Sequence, residues 1–372
     1  MHPEFLQFMN HATRLTQAGD LTAATAAIQS ALRGVTAPRA ASTPSPGDDA
    51  DVIDVEAREV PEAGAHATGV AKAPHPAAAA PRDQPGQGDV VLTGAFRNAS
   101  GQRAYRLYVP PGAGDQPRPL VVMLHGCTQD ADDFAAGTAM DEAARAQGFY
   151  VLYPIQPREQ NPQKCWNWFK HNHQQQGRGE PSILAGMTRS VIEAHTIDTR
   201  RVYVAGLSAG GAMAAILADT YPELYAAAGV HSGLAPGAAS DLPSALAAMK
   251  GKGRSSSNTA QRGNGVPLIV FHGDRDATVH PVNAQAVATA SAGASAQIET
   301  RPVPGAVGKR RSTRHVYRNA AGGVIAERWE IQGAGHAWAG GSKRGSYTDP
   351  DGPDASAEML RFFFEHTRDG QR

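Results

Sequence analysis

The stretch VYVAGLSAGGAMAAILA, Val202–Ala218, decides the fold. It combines an apolar strand, a Gly-Leu-Ser-Ala-Gly turn centred on Ser208, and a helix of small residues. Gly206 and Gly210 allow backbone angles and close packing that a Cβ atom would block. The helix directs its positive end toward the serine. The pattern predicts a nucleophilic Ser208 on a sharp strand-to-helix turn, and a purely structural serine is the alternative.

Apolar runs like this strand recur on both sides of the segment. PLVVMLH starts at residue 119 and PLIVFH at residue 267, and both are continuous, as in strands covered by helices on both faces. Predicted strands span 90–96, 102–109, 119–124, 150–153, 201–205, 226–231, 268–272 and 328–332, and predicted helices span 132–147, 183–195, 210–220, 282–291 and 356–368. We therefore predict an α/β fold with a mostly parallel, doubly wound sheet and an antiparallel N-terminal strand pair.

Three segments differ from this alternation. Apolar residues at three- and four-residue spacing predict a helical hairpin over 1–34, which serves either packing and self-association or targeting. Residues 35–88 are rich in Ala, Pro and Gly and predict a disordered linker. The catalytic domain is then 89–372. Within it, the polar, Gly/Ser-rich segment 237–265 predicts a mobile surface insertion, and whether it gates a site is open.

Composition limits the partners of the chain. Lys+Arg and Asp+Glu each total 35 among 372 residues, so the formal net charge is zero. We expect no nucleic-acid partner, because no global field would attract a polyanion. The first twenty residues lack the basic start and apolar stretch of a secretory signal, and no apolar run is long enough to span a bilayer.

A serine hydroxyl needs a base and an acid, and at a turn of this kind they follow the serine in the order acid, then histidine. FHGDRDATVHP leaves a strand with two carboxylates. We favour Asp276 as the acid, because Asp274 directly follows a glycine and is suited to bonding the turn. GAGHAWAGG places His336 between glycines after another strand, at the edge where catalytic groups of open α/β sheets gather. Rival histidines are His171, His173, His231, His272, His280 and His315.

The oxyanion formed by attack needs two backbone amides. Ala209, after the nucleophile, supplies one, and the LHGCTQ turn supplies the other at Cys127. A Cys127 nucleophile would need its own base and would leave Ser208 without a role. The second cysteine, Cys165, also follows a strand at this sheet edge. A Cys127–Cys165 disulfide is therefore reasonable, with free thiols as the alternative.

Aromatic residues lie near both loops. The CWNWF stretch contains Trp166 and Trp168, and Trp338 lies two residues after His336. These rings either pack in the core or line an apolar substrate groove, and we assign them and His125 to substrate binding.

Together, LHGCTQ, CWNWF, GLSAGGAM, FHGDRDATVHP, GAGHAWAGG and GSYTDPDGPDAS resemble the polyhydroxybutyrate (PHB) depolymerase-type esterases of the α/β-hydrolase superfamily. The resemblance covers about residues 88–366. It implies a Ser208, Asp276 and His336 triad, an oxyanion loop at Cys127 and a cysteine pair. It also implies short-chain polyhydroxyalkanoates as substrates, or plant cell-wall esters as in the neighbouring feruloyl and acetylxylan esterases.

We therefore expect a serine esterase that uses an acyl-enzyme and needs no metal or organic cofactor. A serine peptidase or thioesterase is an alternative, because the triad does not determine the leaving group. A non-catalytic polymer- or granule-binding protein is another. Many relatives of this type are secreted, and a disulfide also favours export, whereas the missing signal favours the cytoplasm.

Overall fold

The computed structural model of the protein describes residues 90–252 and 265–368. The predicted hairpin (1–34), the predicted linker (35–88) and residues 253–264 of the predicted insertion lie outside the described residues. No described helix combines the length and apolarity needed to cross a bilayer.

Within the described ranges, ten strands form one sheet in the order β1-β2-β4-β3-β5-β6-β7-β10-β9-β8. They are β1 Val90–Asn98, β2 Gly101–Val109, β3 Arg118–Leu124, β4 Tyr150–Pro154, β5 Ile197–Leu207, β6 Ala227–His231, β7 Leu268–Gly273, β8 Gln297–Val303, β9 Ser312–Arg318 and β10 Val324–Ile331. Six neighbouring strands of this order are parallel, namely β4, β3, β5, β6, β7 and β10. The mostly parallel sheet and its antiparallel N-terminal pair are confirmed.

Helices cover both faces of the sheet. They are α1 Ala131–Thr138, α2 Met140–Gln147, α3 Gly179–Ala194, α4 Ala209–Thr220, α5 Leu242–Met249, α6 Val282–Ala292 and α7 Ala355–Phe364. A short 3-10 turn spans His171–Gln174, and two short strands, β11 Trp338–Ala339 and β12 Thr348–Asp349, form a separate pair. Two apolar cores result. In β5, for example, Val202 and Val204 enter one core and Tyr203 and Ala205 enter the other.

The structure corrects the sequence prediction at three places. A second antiparallel edge, β8 and β9, was missed, because these strands are short of apolar residues and β8 is mostly exposed. Helix α5, for which no helix was predicted, lies inside the segment predicted as a mobile surface insertion, and the Asp241 side chain caps its start. The single helix predicted over 132–147 is broken at Ala139, which has a φ of 52°.

Candidate active site

Ser208 lies on a strained turn between β5 and α4. Its φ is 58° and its ψ is −118°, and its amide donates to the His231 carbonyl at 2.8 Å. A Cβ atom on Gly206 would lie 2.4 Å from the Gly210 carbonyl carbon, and one on Gly210 would lie 2.0 Å from the Leu124 carbonyl oxygen. Both glycines are therefore required for β5, α4 and the end of β3 to approach this closely.

The structure pairs His336 with Asp276. His336 Nδ1 lies 2.7 Å from Asp276 Oδ2, and the carboxylate is buried. Asp276 Oδ1 accepts from the Thr278 and Val279 amides at 2.9 and 2.8 Å. Burial alone would raise the pKa of Asp276, but hydrogen bonds from His272, His336 and Val279 outweigh it and hold that pKa far below its ordinary value. The carboxylate is therefore ionised, and the proton of the His336 imidazole lies on Nδ1.

Asp274 has a different position. Its Oδ1 accepts from the Gly333 amide at 2.6 Å, so it joins the turn after β7 to the loop that carries His336.

The Ser208 hydroxyl makes no hydrogen bond to His336 in the described structure, and catalytic hydrogen bonds of this kind are often made only once substrate is bound.

His231, at the end of β6, connects the serine turn to the histidine loop. Its carbonyl accepts from the Ser208 amide, and its Nε2 accepts from the Ala339 amide at 3.0 Å. Its ring stacks between Phe271 and Trp338 at centroid distances of 5.9 and 5.2 Å. Burial holds the pKa of His231 well below its ordinary value, so the ring is neutral and can accept at Nε2. Sequence reasoning listed His231 only as a rival base, and the structure makes it a positioning residue.

Replacing His231 by leucine should lower kcat by about 10- to 100-fold, since a buried amide that loses its acceptor costs about 1–3 kcal/mol and releases the His336 loop. We expect KM to change much less, because this ring is fully buried. His231→Gln keeps an acceptor and should recover part of kcat. Steady-state kinetics of both variants test this, and equal losses in the two would contradict a role for the Ala339 hydrogen bond.

Cys127 lies between two fixed neighbours in the turn after β3. The Gly126 amide donates to Gln129 Oε1 at 2.9 Å, and the Thr128 amide donates to the Gln163 carbonyl at 2.6 Å. Gln129 is buried, and its Nε2 donates in turn to Asp133 Oδ2 at 2.8 Å. The side chain of Gln129 therefore fixes the turn, a role that the sequence did not indicate.

The predicted Cys127–Cys165 disulfide is present, with an S–S distance of 2.06 Å. It closes a segment with a sequence separation of 38 and ties the Cys127 turn to the CWNWF loop. The thiol of Cys127 is thus consumed in a covalent cross-link.

Removing this cross-link by Cys165→Ala should lower the free energy of unfolding by about 2–4 kcal/mol. It should also lower kcat without abolishing activity, because the Cys127 backbone amide remains. Wild-type protein treated with a reductant should show the same losses, whereas the variant should not respond to reductant. Complete inactivity in a folded Cys165→Ala variant would instead indicate that the disulfide itself is essential to the reaction.

A buried polar network supports the CWNWF loop and, through His125, the Cys127 turn. Arg103 donates to Glu180 Oε1 at 2.9 Å and to Gln156 Oε1 at 2.7 Å. Glu180 Oε2 accepts from the Asn167 amide at 2.7 Å. Burial would raise the pKa of Glu180, but the neighbouring His173 ring and hydrogen bonds from Asn167 outweigh it and lower that pKa to about 2. The CWNWF loop is therefore anchored on an ionised, buried carboxylate.

His125 links the network to the Cys127 turn. The Gln156 amide donates to His125 Nε2 at 3.2 Å, and His125 Nδ1 lies 2.8 Å from the Gly126 carbonyl. Burial lowers the pKa of His125 to about 4, so the ring is neutral, with Nδ1 as its donor. His125, which the sequence assigned to substrate binding, is buried in the described structure, and its ring contacts the backbone on either side of this turn.

The buried histidines should make stability depend on pH. Unfolding restores the ordinary pKa of His125, 6.5, and that of His231. Below pH 6.5 the unfolded chain binds protons that the folded chain does not, so the free energy of unfolding should fall as pH is lowered from 6.5 to about 4. Urea unfolding at pH 7.5, 6, 5 and 4 measures this, and His125→Asn should reduce the slope. An equal slope in the variant would contradict the assignment to His125.

The tryptophans predicted to line a groove lie mostly in the core. Trp166 is 0% exposed and donates from Nε1 to the His125 carbonyl, and Trp338 is 1% exposed and donates to Ser356 Oγ. Both rings are therefore buried in the described structure and do not line an open groove there. Trp168 is also buried and packs edge-on against Phe169. The flat rings complete the core beneath the loops instead.

Backbone strain is concentrated around this edge of the sheet. Among the described residues, positive φ outside glycine occurs at Thr128, Ala139, Lys164, Ser208, Ser232 and Tyr347. All but Ala139 lie in the loops described here or directly follow a strand that ends at this edge. Such strain costs about 1–3 kcal/mol per residue and is typical of functional sites.

Comparison with known proteins places the chain in a family. The family model described as esterase PHB depolymerase matches residues 103–313, more than half of the chain. Poly(3-hydroxyalkanoate) depolymerase C of Paucimonas lemoignei is 32% identical over 228 residues, which cover 59% of this chain and 54% of that protein. Acetylxylan esterase A of Talaromyces purpureogenus is 31% identical over 212 residues, which cover 52% of this chain and 53% of that protein. The chain thus spans about half the length of these curated relatives.

Among solved structures, an acetyl xylan esterase from Aspergillus awamori matches with a TM-score of 0.57 at 20% identity, covering 74% of this chain and 99% of that one. At that identity the match shows the α/β-hydrolase fold alone. The family model covers the serine turn, Asp276 and both cysteines. The chain therefore belongs to the PHB depolymerase family of esterases.

Proposed function

We propose that the protein is a serine esterase that hydrolyses short-chain polyhydroxyalkanoate oligomers, PHB oligomers above all, through an acyl-enzyme. The observation that carries this proposal is the ionised Asp276 bonded to His336 Nδ1 at 2.7 Å, on the same sheet edge as the strained Ser208 turn. Because Nδ1 carries the proton, Nε2 has a free lone pair and can accept the proton of the serine hydroxyl.

The reaction follows from these positions. Ser208 Oγ attacks the ester carbonyl while His336 Nε2 takes its proton, and Asp276 stabilises the imidazolium. The amides of Cys127 and Ala209 donate to the oxyanion. His336 then protonates the leaving alcohol, and the acyl group stays on Ser208. Water attacks the acyl-enzyme by the same route and releases the acid and the free serine.

The substrate class is argued from the relatives. The Paucimonas lemoignei protein is named a poly(3-hydroxyalkanoate) depolymerase, and its alignment with this chain is longer than that of the acetylxylan esterase. The acetylxylan esterase makes an acylated polysaccharide the second candidate. A hydrolysis screen should compare hydroxybutyrate dimer and trimer, a feruloyl ester, acetylated xylan, an amide and an acyl-thioester. We expect the highest kcat/KM on the hydroxybutyrate trimer, and a higher value on any other compound would overturn the substrate assignment.

We further propose that the protein works in an oxidising compartment outside the cytoplasm. The Cys127–Cys165 disulfide supports this, since such bonds are rare in reducing compartments. Cell fractionation of the producing organism tests the proposal, and enzyme found only in the cytoplasm with two free thiols would contradict it.

A further inference from the structure

Tyr347 is an exposed aromatic residue beside the Cys127 turn. It lies in the segment between β11 and β12, its side chain is 48% exposed, and its φ is 50°. A bulky residue with positive φ is a genuine outlier, because its Cβ atom crowds the backbone. Burial does not explain the strain, since Tyr347 is about half exposed.

The backbone around Tyr347 is fastened on both sides. The Ser346 amide donates to Asp133 Oδ1 at 2.8 Å, and the Ser346 hydroxyl donates to Asp133 Oδ2 at 2.6 Å. The Tyr347 carbonyl accepts from the Trp338 amide at 2.7 Å. These bonds fix the backbone on both sides of the Tyr347 side chain.

The phenol hydroxyl of Tyr347 reaches the proposed oxyanion loop. Thr128 Oγ1 donates to the Cys127 carbonyl at 2.6 Å, so its lone pairs are free to accept from the Tyr347 hydroxyl, 3.2 Å away. Thr128 itself has a φ of 67°. Thr128 and Tyr347, which both have positive φ, are therefore in contact next to Cys127, whose backbone amide is assigned to the oxyanion. Because the hydroxyl is engaged, a ligand would contact the ring of Tyr347 rather than its hydroxyl.

We propose that the Tyr347 ring, supported by Thr128, is a subsite for the hydroxyalkanoate unit next to the scissile ester. This inference rests on the proposed function. Such a unit presents methyl and methylene groups, which pack on an aromatic face. Arg344, three residues before Tyr347, pairs with Glu142, and Lys164, next to Cys165, pairs with Asp130; neither cation is left unpaired, which favours an uncharged ligand.

The test compares a substrate that has a second unit with one that lacks it. Hydroxybutyrate trimer carries a neighbouring unit, and p-nitrophenyl acetate does not. Tyr347→Ala should lower the ratio of kcat/KM for trimer to kcat/KM for acetate by about tenfold, mainly through a higher KM for trimer. Tyr347→Phe keeps the ring and should leave this ratio within about threefold of wild type. Ile298→Ala, on the exposed edge strand β8, removes a similar apolar surface far from the site and should leave kcat/KM unchanged for both substrates.

Three results would overturn the subsite. The first is an unchanged ratio in Tyr347→Ala. The second is an equal fall in Tyr347→Phe and Tyr347→Ala, because the hydroxyl and the position of the Cys127 turn would then carry the effect. The third is a ratio that falls for acetylated xylo-oligosaccharide but not for hydroxybutyrate trimer, which would assign the ring to a sugar. Failure of the proposed function would be seen separately, as ester hydrolysis that survives Ser208→Ala.

Discussion

Ser208→Ala is expected to lower kcat for hydroxybutyrate trimer by at least about 10⁴-fold, because the variant has no oxygen to form the acyl-enzyme. KM should change little, since the small hydroxyl contributes little to ground-state binding. The variant should fold, because alanine fits wherever serine does and no described hydrogen bond is lost from Ser208 Oγ. Steady-state kinetics, with circular dichroism as the check on folding, measure this effect.

Ser232 provides a matched control for this replacement. It follows the neighbouring strand β6, has a similar φ of 51°, and is fully buried. Its hydroxyl contacts only His231 Nδ1, at 3.2 Å, among the hydrogen bonds of the described structure. Ser232→Ala should therefore cost less than about tenfold in kcat. A folded Ser208→Ala variant with activity close to that of Ser232→Ala would refute Ser208 as the nucleophile.

Asp276→Asn is expected to lower kcat by about 10³- to 10⁴-fold, because a neutral amide neither fixes the Nδ1 tautomer of His336 nor stabilises its positive charge. The loss should appear in kcat and in kcat/KM alike, since the carboxylate acts on the transition state. Kinetics over pH 6 to 9 measure it, and they also show whether residual activity depends on deprotonated imidazole.

The neighbouring carboxylate allows a direct comparison. Asp274→Asn retains an oxygen that can accept from the Gly333 amide, so kcat should fall by less than about tenfold. Equal losses in the two variants would mean that both carboxylates act by holding the loop between β10 and His336. The distinct role of Asp276 would then be lost.

Much of the site could be predicted because local sequence imposes it. The Ser208 turn requires glycines at fixed positions next to an apolar strand, and the sequence displays both. Asp276 could be preferred over Asp274 from its place in the turn, and the structure pairs it with His336. The bond between Cys127 and Cys165 was reasonable because both follow strands of one sheet edge.

The remaining features depend on contacts between distant residues. His231 accepts from Ala339, 108 residues later, and sequence alone gives no reason to separate this histidine from the others. Arg103 and Glu180 are 77 positions apart in sequence, and their pairing buries two charged side chains, which protein interiors normally exclude. The burial of Trp166 and Trp338 could not be predicted, because a large ring in a loop next to the predicted catalytic residues suits either a groove or a core. Only packing distinguishes the two.

The central claim is that Ser208 is the nucleophile, and covalent labelling tests it most directly. Native protein is treated with a fluorophosphonate, and the adduct is located by peptide mass spectrometry. We predict one adduct per chain, on Ser208, absent from Ser208→Ala and formed much more slowly in His336→Ala. An adduct on another serine, or no adduct in protein that still hydrolyses esters, would contradict the mechanism.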